Sequence, residues 1–281
     1  MTNGRKWETF SPETVQRLFS AIDEDDLVDE NVSLPGWIDV RCAQESLQQN
    51  YALCMQYWQE GVHRKELLSL VLQLLTDAEL SEHGAMRFKT IRSRYKHLRF
   101  AQRLYSKTHI SRLWFSKTTV LLGKLQDAFR NKNKRLVKIY ARILCFYLSK
   151  PIWSWVIFSL RHMPLDSVSH FIAYRQRQMR KLQVLIAKPE LTGQEFHTVR
   201  KIVSQQVSYY DTLRAIEPGN QDFHQISRFL AAINGVMGDR HDEMIADNLS
   251  GRKSYDERCP LDITLRQRLE LLIERYPLKE E

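Results

Sequence analysis

The chain has 281 residues, 43% hydrophobic and 27% charged, with a formal charge of +9. That is enough apolar side chain for a buried core and excludes a disordered or fibrous chain. Ten Gly and eight Pro are about half the usual share, which points to a mostly helical fold. Ser11-Pro12-Glu13 opens a first helix to about Ala21, with Pro at its first position. The acid-rich stretch Asp23, Glu24, Asp25, Asp26, Asp29, Glu30, with Pro35-Gly36, reads as a linker. It is expected to be solvated, with docking on a basic face as the alternative. Helices follow at about 38–58, 64–75, 86–107 and 110–130. Two apolar helices, about 136–149 and 151–160, come next, and Asp166 reads as the N-cap of a helix to about Lys188. Thr192-Gly-Gln-Glu195 is a capping box opening a helix to about Ile216. Helices at about 221–236, 240–249 and 262–275 complete the chain. No segment alternates with period two, so the expected fold class is all-α.

Cys42, Cys54, Cys145 and Cys259 lie far apart with no C-x-x-C. Neither structural zinc nor a disulfide framework is expected, and a reducing, cytoplasmic setting is. The N-terminal MTNGRKWETF lacks the apolar core of a signal peptide. Residues 143–160 carry one charge, Lys150, and are long enough to suggest a membrane span. A central Lys costs about 3 kcal/mol there and Pro151 breaks the helix. Two buried helices meeting at a turn are expected instead, with no transmembrane segment.

Charge is distributed unevenly. Residues 86–150 hold eighteen Lys and Arg against the single acid Asp127, while the remaining 216 residues sum to −8. An anionic partner explains such self-repulsion better than solubility does. In RFKTIRSRYKHLRFAQRLY, Phe88, Ile91, Tyr95, Leu98 and Tyr105 form a core-facing stripe, with Ala101 and Leu104 filling in. Lys89, Arg92, Lys96, Arg99 and Arg103 fall at spacings 3, 4, 3, 4, a second stripe one residue round from the first. These five cations cover roughly 21 Å of helix. Like charges at such spacing destabilise a helix by a few tenths of a kcal/mol, and a linear polyanion lying alongside would relieve them. Arg offers a fork to phosphate oxygens and Lys a point charge. The neighbouring Phe88, Tyr95, Phe100, Tyr105, Trp114 and Phe115 suit packing better than base stacking.

On these residues the chain resembles the CHAD family, the conserved histidine α-helical domain. Lys89, Arg92, Lys96, Arg99 and Phe100 match the family's first motif copy, with Lys89 where the family favours His. His197, Arg200 and Lys201 begin a second copy, but Ser204 and Val207 stand where it should carry cations. Ile233–Asp242 is similar to the family's Leu-Gly-x-x-Asp turn, and Leu122–Asp127 matches it more weakly. The resemblance spans roughly 86–250. It implies two pseudo-repeated four-helix-type bundles around a basic groove, binding inorganic polyphosphate without catalysis, with most affinity on the first half. Residues 1–80 would be an N-terminal helical region packed on a main domain, 81–281, with halves at roughly 81–160 and 161–281.

The expected binding residues are therefore Lys89, Arg92, Lys96, Arg99, Arg103, His197, Arg200 and Lys201, for polyphosphate or another linear polyanion. Nucleic acid is the alternative partner. His197 would bind anions better below about pH 6.5, when charged. Arg175, Arg177, Arg180 and Lys181 read as a solvated surface cluster. His241-Asp242 is similar to the metal-binding pair of HD phosphohydrolases, but His162, His170 and His224 show no spacing that would complete a site. The pair is better read as tying a helix junction. No phosphate loop, nucleophile elbow or H-E-x-x-H is present, so no enzyme activity, cofactor or metal is expected.

Overall fold

The computed structural model describes residues 7–24 and 31–278. Among them the chain is all-α: α1 (Pro12–Asp23), α2 (Gln44–Gly61), α3 (Arg64–Asp77), α4 (Glu82–Tyr105), α5 (Leu113–Arg130), α6 (Lys134–Tyr147), α7 (Lys150–Arg161), α8 (Val168–Ile186), α9 (Gly193–Ile216), α10 (Gln221–Leu249) and α11 (Ile263–Arg275). A two-residue antiparallel pair, β1 (Glu190–Leu191) with β2 (Cys259–Pro260), is the sole sheet among these residues. Short polar side chains set the helix starts. Ser81, Asn133, Asn220 and Asp262 each accept a backbone N–H three residues on, and Thr192 and Glu195 close a reciprocal capping box.

The chain forms two compact units, 1–11 with 47–166 and 12–46 with 167–281. In the first, α5 packs on α4 and α6, and α3 on α6. Its core holds Trp58, edge-on to Tyr95 at 5.5 Å and to Phe115 at 5.6 Å. The apolar stripe of α4 is buried there from Phe88 through Tyr105. In the second, α9 packs on α10 and α1, and α8 on α9 and α11.

Several sequence expectations are corrected. The segment 38–43 is not helical, although Ile38 and Val40 are buried. The helices expected at 221–236 and 240–249 are one, α10. Gly235 and Gly238 fall inside it; a glycine costs a helix about 1 kcal/mol, which packing along α9 outweighs. Asp166 is not the cap of α8. Ser167 is, and the buried Asp166 carboxylate meets His109 Nε2 at 3.0 Å. Within the acidic linker, Glu24 lies 3.1 Å from Arg214 and 3.7 Å from Arg228, and residues 25–30 lie outside the described residues.

The membrane-like stretch breaks at Leu148-Ser149, just before Lys150-Pro151 open α7, and α6 and α7 are bent by 66°. No single helix among the described residues is long and apolar enough to cross a membrane. The two helices are not buried, however. Only Val137, Ala141 and Leu144 of α6, and Val156 and Leu160 of α7, lie in the core.

Candidate anion-binding site

α4 sorts its cations by angle. Arg87 and Arg94, seven residues apart, turn toward α2 and α3. Arg87 Nη2 donates to Glu66 Oε2 at 2.7 Å and to Gly61 O at 3.0 Å, and its guanidinium holds the Glu66 carboxyl below the usual range. Arg94 donates to Tyr57 O and lies 4.0 Å over the Tyr57 ring. The other five line a different face. Lys89 and Lys96 are exposed; Arg92, Arg99 and Arg103 are half-buried. Lys96 Nζ lies 5.9 Å from the Phe100 ring.

Among the described residues, Arg92, Arg99 and Arg103 form no ion pair with a carboxylate. Arg99 Nε is buried without a hydrogen-bond partner. Burial, then the neighbouring Arg103, pulls the Arg99 pKa down to about 10, so it remains a cation at neutral pH. The Arg92 guanidinium lies against α5 at Gly123, where a Cβ would sit 3.5 Å from Arg92 Nε. The absence of a side chain there lets the fork lie close to the next helix.

α9 carries the second set. Its capping box sets the first turn, which places His197, Arg200 and Lys201 within two turns of the helix start. Arg200 Nη1 meets His241 Nδ1 at 3.3 Å, and His241 Nε2 meets the Tyr255 hydroxyl at 3.1 Å. A guanidinium can only donate, so Nδ1 accepts and Nε2 carries the proton. His241 is therefore neutral, in line with a pKa lowered by burial and then by Arg200. Its ring stacks on His197 at 4.7 Å. Burial, then Lys201, His241 and Arg200, pushes His197 down to about 4. The ring is thus uncharged at the pH where the sequence led us to expect a cation. A Cβ at Gly238 of α10 would sit 3.2 Å from Arg200 Nη2, so this arginine too lies over a glycine of the following helix.

Ser204 and Val207, at the positions that depart from the motif, face inward. Ser204 Oγ donates to Asn234 Oδ1 at 2.6 Å and Val207 is in the core. Arg175, expected on the surface, is fully buried. Its guanidinium lies 3.9 Å over Tyr209 and donates to Gln206 Oε1 at 2.9 Å and Tyr210 Oη at 3.1 Å. Arg177 and Lys181 are exposed, and Arg180 donates to Leu278 O.

Sequence reasoning missed Tyr255, which lies in a loop with no local motif. Its ring also packs at Gly193, whose N–H donates to Tyr255 O at 2.9 Å. His241 does tie a helix junction through these contacts. Its Nδ1 is 3.9 Å from Asp242 Oδ1, and among the described residues no three His, Cys, Asp or Glu side chains cluster to hold a metal ion. The described arrangement offers hydrogen-bond donors and positive charge along α4, and a smaller donor set at the start of α9. Comparison with family models, with curated proteins and with solved structures finds no match for the chain.

Proposed function

We propose that the chain is a CHAD-like protein that binds inorganic polyphosphate without turning it over. Each unit contributes its own residues: Lys89, Arg92, Lys96, Arg99 and Arg103 from α4, and His197, Arg200 and Lys201 from α9. The observation that carries this reading is the row of five cations on α4, of which Arg92, Arg99 and Arg103 have no carboxylate partner among the described residues. Phosphate oxygens at regular spacing would meet that row with charge-assisted hydrogen bonds, and counterion release would make affinity fall steeply with salt. The shared device of an arginine over a glycine, Arg92 at Gly123 and Arg200 at Gly238, supports reading the two units as a pseudo-repeat of four-helix-type bundles, each with its own basic face. Four free thiols suit a reducing compartment such as the cytoplasm.

The test replaces Arg92, Lys96 and Arg99 together by Ala and measures binding of long-chain polyphosphate across a salt series. We expect at least a tenfold loss of affinity and a shallower salt slope; unchanged binding would remove α4 as the site. Competition distinguishes the alternative partner. Polyphosphate should displace single-stranded RNA or duplex DNA readily, and failure to do so would favour a nucleic-acid backbone.

A further inference from the structure

The outer side of α6 carries a second, separate pattern. Val137, Ala141 and Leu144 face the core. At about 100° per residue, Leu136, Ile139, Ile143 and Phe146 fall on another side, and all four are exposed, Phe146 by 60%. Lys134, Arg135, Lys138 and Arg142 lie on the sector beyond them and are exposed as well. Phe146 is extended by aromatic neighbours: Trp114 of α5 is 6.4 Å away and Tyr147 5.9 Å. The next helix repeats the theme, with Trp155 and Phe158 stacked at 5.7 Å and 56% and 52% exposed.

A solvent-exposed helix face normally alternates charge signs and hides its aromatics. Here the stretch from Leu113 to Arg161 carries ten cations against one acid, Asp127, and Lys134, Arg135, Lys138 and Arg142 of α6 flank an apolar face with Trp114 and Tyr147 near it. Contiguous exposed apolar surface marks an interaction site. Cations on one sector, with Phe, Leu, Ile and Trp on the next, are what a helix lying in a membrane–water interface needs, and Trp and Tyr are favoured at headgroup depth. A second copy of the chain would bring like charges together, whereas anionic headgroups attract each nearby Lys or Arg. The 66° bend between α6 and α7 suits helices lying along a surface.

The geometry points to a peripheral membrane-binding face on α6 and α7 that seats on an anionic phospholipid bilayer, its apolar side chains entering the headgroup region. This face is distinct from the cation row of α4 and does not depend on it. The test sediments the full chain with vesicles of phosphatidylcholine alone, or of phosphatidylcholine with phosphatidylglycerol, and repeats the second with lipids brominated on the acyl chain. The protein should pellet with the anionic vesicles only, and bromine should quench its tryptophan emission. Ile139→Ser with Phe146→Ser, both at exposed positions, should abolish most pelleting and the quenching while leaving the melting curve and polyphosphate binding unchanged. Lys138→Glu with Arg142→Glu should shift binding to lower salt. The idea is overturned by absence of pelleting, by pelleting that the serine pair leaves intact, or by absence of quenching. It is equally overturned if the serine pair instead converts a dimer to a monomer. Polyphosphate binding of the Arg92, Lys96 and Arg99 variant is read in the same preparation, so a failure there is separate from a failure here.

Discussion

α4 and α9, each 24 residues long, expose their cations differently. α4 is a half-exposed helix with its apolar stripe in the core and five cations on another face. α9 is buried without interruption from Ile202 to Ala215, with only its first turns reaching solvent. Lys96 and Arg99 therefore reach water on α4, whereas Ser204 and Val207 lie in the core on α9. Burial decides which residues suit each site: a charge at 96 or 99 keeps contact with water, whereas 204 and 207 suit a small or apolar residue.

Placing a cation at a buried position of α9 would break this comparison most severely. Val207→Arg should destabilise the protein by more than about 3 kcal/mol, because the charge would enter the core without a partner. Chemical denaturation reads that loss, and polyphosphate affinity should not rise. A stable variant with increased affinity would show that position 207 can reach an anion. Next in size is Arg175→Ala. The buried guanidinium packs on Tyr209 and bonds to Gln206 and Tyr210, so removal should cost about 3 kcal/mol. Arg92→Ala on α4 should change stability by less than about 0.5 kcal/mol.

Acidity sharpens the contrast further. His97, buried against α2, is pushed down to about 3, mainly by desolvation and then by Lys96 and Arg94, and His197 to about 4. The unfolded chain, with ordinary histidines near ~6.5, takes up protons first as pH falls. Stability should be constant above about 6.5 and decline progressively toward pH 4 and 3. His97 alone accounts for about 2 kcal/mol of that loss between pH 6.5 and 5. Melting temperatures over this range give the measurement, and His97→Leu should flatten the profile relative to wild type. Arg87→Ala loses the contacts to Glu66 and Gly61 O. It should cost about 1 kcal/mol and leave polyphosphate binding untouched, since Arg87 faces α3. Weakened binding would merge the two faces of α4 that the structure separates.

Periodicity and caps carried far in reading this chain. The α4 stripe, the capping box of α9 and its end at Ile216, and a helix boundary next to Pro151 all follow from local sequence. What was lost depends on tertiary packing. Gly235 and Gly238 look like a helix end in isolation, yet packing on α9 carries α10 through them. Arg175 has the neighbours of a surface cation in sequence, while Tyr209, Tyr210 and Gln206 arrive from another helix. The apolar residues of α6 and α7 look like core because sequence alone gives hydrophobicity but not which of two apolar sides finds a partner. Nothing local announces Tyr255 beside His241, since fourteen residues of helix and loop separate them.

Cys54 lies in the core of the first unit, with its Sγ 3.4 Å from His97 Nε2, whereas the other three cysteines are partly accessible. A thiol-modifying reagent should therefore label three sites quickly and the fourth only when that unit opens. The slow phase of labelling thus serves as a built-in clock for local unfolding, read at a thiol the chain already carries.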